Sequence, residues 1–316
     1  MPERRTIAVV GATGAQGGGL VRAILSDPAR EFTPRAITRK PESDNAKALK
    51  AAGAEVVAGD LDDPASLQRA FAGAWGVFAL TNFWEHFSPE RELRQAGNQA
   101  AAAKQAGVPY VIWSTLEDTR KLVPLSDQRM PTLMGNYKVP HFDAKGEADA
   151  LFMQTGVPTT LLLTSFYWEN FISFGAGPKR GPDGRLLLTF PLGNAKLPGI
   201  AVEDIGKCAL GLFRRAGEFA GKTVGIAGEH LTGAEMAAGL TKALGEEVRY
   251  NDVPPEVYRN FEFPGADDLG NMFQYKRDFN AEFRRPRDPA FARKLNPELQ
   301  TYEQWLARNK SRIPLD

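Results

Sequence analysis

The stretch Ile7-Ala8-Val9-Val10-Gly11-Ala12-Thr13-Gly14-Ala15-Gln16-Gly17 decides the fold. An apolar strand runs straight into a turn with glycine at every third position, and a helical pattern follows at residues 17–26. Each glycine answers a separate steric demand. Gly11 lets the chain turn sharply after the strand, Gly14 lets backbone amides approach an anion with no Cβ in the way, and Gly17 lets the helix lie close on the sheet. The amides and positive dipole end of that helix then face a diphosphate. The spacing is GxxGxxG rather than GxGxxG, and glycines alone also mark ordinary turns. The strand before and the helix after make a bound dinucleotide the expected reading.

Working outward, short apolar runs alternate with amphipathic helical patterns. Strands are expected at residues 6–10, 34–38, 55–58, 76–80, 110–114 and 159–164, and helices at 17–26, 44–52, 64–71, 89–105 and 140–155. This rhythm predicts an α/β chain with a Rossmann-type, doubly wound parallel sheet, and function is then sought just after each strand. Past residue 166 the order breaks down. A Gly- and Pro-rich run at 175–184, an extended segment at 186–190, helices at 202–214 and 232–243 and a strand at 223–227 predict a smaller C-terminal α/β lobe. The expected division is 1–165 for dinucleotide binding and 166–316 for the lobe that shapes a cleft, with chain crossings between them allowed. The connection 117–139, with Pro124, Met130, Pro131 and Met134, is long enough to act as a lid or partner surface.

The 316 residues carry 39 Lys and Arg against 38 Asp and Glu, a net charge of +1, with 43% hydrophobic residues. This is ordinary globular composition, and a near-neutral chain without a basic aromatic patch argues against nucleic acid or an anionic membrane as partner. Cys208 is the only cysteine, which excludes an intramolecular disulfide. It reads as a small buried apolar residue, with a redox-sensing thiol as the sharper alternative. The first strand leaves no room for a signal peptide and no apolar run could span a bilayer, so a cytoplasmic protein is expected. No metal site is expected.

The candidate chemistry sits at the strand ends. After the second strand come Arg39 and Lys40 in place of an acidic residue, and a guanidinium fork suits an adenosine 2′-phosphate, which favours NADP(H) over NAD(H). After the third, Asp60 is placed to accept from an adenine amino group and Leu61 to pack on the ring, while Asp62 or Asp63 caps the next helix ahead of Pro64. After the fourth, Thr81 and Asn82 are expected beside the pyrophosphate or nicotinamide ribose, with Phe83 and Trp84 as an apolar wall; a plain strand-end turn is the alternative. Within the turn, Thr13, Ala15 and Gln16 join Gly11, Gly14 and Gly17 as cofactor contacts.

Tyr137-Lys138-Val139-Pro140-His141-Phe142-Asp143-Ala144-Lys145 carries the catalytic question. Pro140 suits a first helical turn, so His141 and Lys145 share one face. Lys145 can bond the nicotinamide ribose, His141 stands where a short-chain dehydrogenase has its tyrosine acid, and Ser114 after the fifth strand can complete the group. The plainer alternative is a helix surface on which Lys145 pairs with Asp149. After the sixth strand, Phe166, Tyr167, Trp168, Glu169 and Asn170 read either as a cleft lining, with Tyr167 and Asn170 toward the cofactor, or as aromatic core.

Together the glycine turn, Thr38-Arg39, Gly59-Asp60, Thr81-Asn82-Phe83-Trp84-Glu85, His141-Phe142-Asp143-Ala144-Lys145 and the aromatic Glu-Asn segment resemble the NmrA-like family, an atypical branch of the short-chain dehydrogenase/reductases. The likeness runs on through Phe263-Pro264-Gly265-Ala266, Asn271-Met272-Phe273 and Gln304-Trp305-Leu306. It implies a Rossmann-type fold, NAD(P) binding and, in many members, regulation of a protein partner in place of turnover. It also implies a second reading, since relatives include NAD(P)H-dependent reductases of quinones, dyes or isoflavonoids. The two functional expectations are therefore a sensor of the NADPH/NADP⁺ balance and a reductase passing hydride to a small quinone, carbonyl or aromatic acceptor.

Overall fold

A computed structural model describes residues 4–315. In it β1 (Arg5–Val9) lies between β2 (Phe32–Thr38) and β4 (Gly76–Ala79), parallel to both. β3 (Glu55–Ala58) extends the sheet beyond β2, and β5 (Tyr110–Thr115) and β6 (Thr159–Leu163) extend it beyond β4, again in parallel. The short strand Thr223–Gly225 lies beside β6, which completes a seven-stranded sheet. The order β3-β2-β1-β4-β5-β6 reverses between β1 and β4, and ligands of such sheets bind outside the carboxyl ends of the strands at that switch point. β4 and β5 are buried along their whole length, as expected for central strands covered on both faces.

The connecting helices start where the sequence supplies caps. α1 is Ala15–Ser26, α2 Asp44–Ala51, α3 Pro64–Phe71 and α4 Pro89–Gln105. Ser43 and Ser88 cap α2 and α4, and Asp63 Oδ1 accepts from the Ala65 and Ser66 amides at 3.0 and 3.2 Å, with Pro64 in the first turn. Element ends move by a residue or two from expectation. α1 starts ahead of Gly17 because its ladder begins inside the turn, with Gly18 N–H donating to the Gly14 carbonyl at 3.1 Å. β2 starts before Pro34 because it pairs with β1 from Phe32 onward, and the proline is tolerated because β3 pairs only from Arg35.

The chain divides into two compact units, each assembled from three segments. The first takes the chain up to Asp118, Ala144–Thr164 and Val202–Val224; the second takes Thr119–Asp143, Ser165–Ala201 and the chain from Gly225 onward. The helix Val202–Arg214, expected in the C-terminal lobe, belongs to the first unit and packs on α1, where a Cβ on Gly206 would run into the backbone of Gly19 and Leu20. The helix α5 (Pro140–Met153) begins at the end of a second-unit segment and continues into the first.

The second unit holds two three-stranded sheets and the helices Gly233–Leu244, Ala266–Asp278 and Tyr302–Asn309. The long 117–139 connection is knitted into it from residue 119 onward. Lys138 is buried and its ammonium donates to the carbonyls of Asp127 and Met130 at 2.8 and 2.7 Å. Asn271 donates to the Pro131 carbonyl at 2.9 Å. Asp143, pushed up by burial against the hydrogen bonds it accepts from Thr119, Val139 and Lys138, gathers both ends of the loop.

Candidate functional site

The turn after β1 has the geometry its glycines require. Gly11 sits at φ +63°, and Gly14 N–H donates back to its carbonyl at 2.9 Å. A Cβ on Gly17 would lie 2.5 Å from the carbonyl oxygens of both Val10 and Gly11, so only glycine permits this approach of helix to strand. Gly14 and Ala15 are exposed, and a Cβ on Gly14 would meet nothing nearer than the Gly11 carbonyl at 3.3 Å. α1 has no side-chain cap and no acidic residue in its first turn. The site is thus open, lined by main chain and electropositive, which suits an anion. Thr13 and Gln16 are half-buried there, and Ser114 Oγ donates to Gln16 Oε1 at 2.7 Å, tying the end of β5 to the start of α1.

Arg39 and Lys40 are exposed at the end of β2. Arg39 Nη2 donates to Glu85 Oε1 at 3.0 Å, an open ion pair that aims the guanidinium without consuming its other donors. Asp60 is half-buried and its Oδ1 accepts from Asp62 N–H at 3.0 Å. Leu61 packs against the apolar cluster between sheet and helices. Asp63 is the helix cap, whereas Asp62 accepts from Arg91, Arg94 and Gln95.

At the end of β4 the structure joins Thr81 and Lys145, both expected there, to Glu92, for which the sequence carried no signal. Glu92 on α4 is fully buried, and its Oε1 accepts from Thr81 Oγ1 at 2.5 Å and pairs with Lys145 Nζ at 2.7 Å. Lys145 also donates to the Thr81 carbonyl at 3.0 Å and to Thr81 Oγ1 at 2.7 Å, which uses all three of its donors. His86 Nδ1 accepts from Ser88 N–H at 3.1 Å, so the neutral ring carries its proton on Nε2, 3.4 Å from Glu92 Oε2. That last contact is electrostatic; it lacks hydrogen-bond geometry. The Lys145–Asp149 pairing is not made, because Asp149 accepts from Trp113 Nε1 at 3.0 Å.

Burial alone would raise the Glu92 carboxyl. The Lys145 charge, with the contacts from His86, Lys145 and Thr81, overrides it and holds the group at about 2 instead of its ordinary 4.5. A carboxyl depressed on folding stabilises the native state above its unfolded value and loses that contribution as pH falls through the folded one. The native state should therefore lose ~3 kcal/mol between about pH 4.5 and 2 on account of this group. Urea titrations across that window should show the loss in wild type and its absence in Glu92→Gln. The same acid limb in both proteins would refute the assignment.

Burial differs among the remaining expected residues. Phe83 is 1% exposed and stacks edge-on against Trp84, so its ring is no open wall, although Asn82 beside it is exposed. Trp168 is 1% exposed and packs on Tyr302 and Trp305 in the second unit, and Phe166 packs on Phe171 and Phe190, so these two rings belong to the core. Tyr167 and Asn170 are half-buried in that unit. His141, also there, is buried with Nδ1 2.7 Å from Asp268 Oδ1, and its backbone N–H donates to Asp268 Oδ2 at 3.1 Å. Cys208 is buried and its thiol is pushed up by burial, with Asp204 adding to the effect, the opposite of a reactive cysteine. Among the described residues no cluster of His, Cys, Asp or Glu is arranged to hold a metal, and no helix is long and apolar enough to cross a membrane.

The family model for the NmrA-like family matches residues 3–306. The NmrA-like family domain-containing oxidoreductase FrzB of Cladobotryum is 29% identical over 304 residues, covering 89% of this chain and 86% of its own. Among solved structures, NmrA, a negative transcriptional regulator, superposes with TM-score 0.80 at 25% identity over 96% of this chain and 95% of that one. The same regulator has been solved in complex with NAD and with NADP. The NADPH-dependent quinone oxidoreductase QOR2 of Escherichia coli, complexed with NADPH, superposes with TM-score 0.73 at 23% identity over 96% of this chain and 98% of that one.

Proposed function

The chain belongs to the NmrA-like family, and from that premise we propose that it binds NADP(H) at the carboxyl ends of β1, β2 and β4 and reports the NADPH/NADP⁺ balance to a protein partner. The observation that carries the binding is the open cradle of Gly11, Gly14 and Gly17 at an uncapped, acid-free helix start. A bound nicotinamide would supply the hydride carrier. In this reading the amides at the start of α1, with Thr13, Ala15 and Gln16, hold the diphosphate. Arg39 and Lys40 take the 2′-phosphate, Asp60 and Leu61 flank the adenine, and Thr81, Asn82 and Lys145 stand at the nicotinamide ribose. The sensor is preferred because Lys145 has its donors engaged by Thr81 and Glu92, while His141 is buried.

Calorimetry with NADPH, NADP⁺, NADH and NAD⁺, paired with limited proteolysis of each complex, tests both halves. Heat with none of the four removes the site; equal affinity and equal cleavage with all four removes the sensor. Arg39→Ala should raise the Kd for NADPH by about 10- to 100-fold, the worth of hydrogen bonds to a charged group, and leave NADH within about threefold. Equal losses for both dinucleotides would take the 2′-phosphate away from Arg39.

The second reading, a reductase, draws on the relatives named as oxidoreductases. Ser114 and Lys145, both in the first unit, would take part in its chemistry. NADPH consumption across a panel of quinones and ketones tests it, and silence across the panel leaves the sensor alone.

A further inference from the structure

We propose that Glu92 is the positioning residue of this site, the group that fixes Lys145 as a charged donor at the end of β4. The inference rests on the reading of Lys145 as a contact to the nicotinamide-side ribose. Glu92 comes from α4 and Lys145 from α5, and the two meet only because Thr81 brings both to one strand end: Thr81 Oγ1 donates to Glu92 Oε1 while accepting from Lys145 Nζ. The Glu92 carboxylate is fully buried and the Lys145 side chain is 13% exposed. A buried pair of this kind is an expensive way to gain stability, since two well-packed apolar side chains would serve the fold as well or better. Its use lies in holding an ammonium in one rotamer, with a fixed charge, where the strand ends.

The surroundings fit that role better than a proton relay. His86 Nε2 and Glu92 Oε2 are 3.4 Å apart without hydrogen-bond geometry, which breaks the chain of donors on the outer side. Held well below its ordinary range by the Lys145 charge, the Glu92 carboxyl stays ionised at neutral pH, so it passes protons poorly and holds charge well. Of the three acceptors around Lys145, Thr81 Oγ1 is the one a ribose hydroxyl can replace at least cost. It keeps Glu92 as its own partner, whereas the Thr81 carbonyl and Glu92 would each be left buried and short of a donor.

The test compares NADPH with 2′,5′-ADP, a fragment that lacks the nicotinamide-side ribose, by calorimetry on the full chain. Glu92→Gln should weaken NADPH by about tenfold and leave 2′,5′-ADP within about twofold, because only the former reaches Lys145. In a Lys145→Ala background the same change should add less than about twofold, since the two residues act as one unit. Glu92→Asp keeps the charge and should recover most of the affinity; it carries the comparison by itself if the glutamine variant does not fold, with a loss of about threefold confined to NADPH. Equal losses for both ligands, or none for either, overturn the role of Glu92 and leave the cofactor site standing. A wild-type chain that takes up neither ligand brings down the cofactor reading itself.

Discussion

Gly17→Ala should cost the native state at least about 3 kcal/mol and abolish nucleotide binding in whatever fraction still folds. The added Cβ would sit 2.5 Å from the carbonyl oxygens of Val10 and Gly11 and 2.7 Å from the Gly11 carbonyl carbon, all of them backbone. None of these can swing aside as a side chain would. Val10 N–H is bonded to the Phe78 carbonyl at 3.0 Å and Ala12 N–H to the Ile37 carbonyl at 3.4 Å, so the turn is held from both neighbouring strands. The helix must back away from the sheet, and its first amides leave the place where a diphosphate would lie. Gly206→Ala offers the matching comparison. It forces the same kind of backbone collision, against Gly19 and Leu20, so stability should fall comparably. The turn itself is untouched there, and each folded molecule should bind as wild type does. Urea denaturation and calorimetry on the two variants decide the matter. A Gly17→Ala protein within about 1 kcal/mol of wild type would show that the close approach is not the reason for the glycine.

Why some of this was legible and some was not follows from how far each feature reaches along the chain. β3, α3, α4 and the extended segment Leu186–Phe190 appear where the pattern put them, because an apolar period, a Ser or Asp cap and a following proline are all local. The glycine turn is local too, and the strand–turn–helix context fixed its meaning. The 119–143 segment is different. Its place in the second unit is settled by Asn271 donating to the carbonyls of Pro131 and Lys138, partners far away in the chain that no period announces. Glu92 was invisible for the same reason: a glutamate in the first turn of α4 looks like an ordinary acid at a helix start until the fold brings Lys145 to it. The aromatics were ambiguous in principle. Phe83, Phe166 and Trp168 fit a cleft wall and a core equally well as letters, and only burial separates the two.

His141→Ala should lower stability by about 4 kcal/mol, and the loss should appear in unfolding before it appears in any chemistry. Asp268 lies in the first turn of the helix Ala266–Asp278 and is 2% exposed. Its two oxygens are divided between the His141 ring, at 2.7 Å, and the His141 backbone amide, at 3.1 Å. Alanine keeps the amide and removes the ring, which leaves one carboxylate oxygen buried without that donor and opens a gap beside Phe142. His141→Asn separates structure from chemistry. Its amide can donate from near the position of Nδ1 but cannot act as an acid. An anchoring role predicts that asparagine restores most of the stability and leaves NADPH affinity, and any quinone turnover, as in wild type. A proton-donating role predicts the reverse, with a stable His141→Asn protein as inactive as the alanine variant. Recovery of the fold without recovery of turnover would return His141 to the catalytic group and tip the balance toward the reductase.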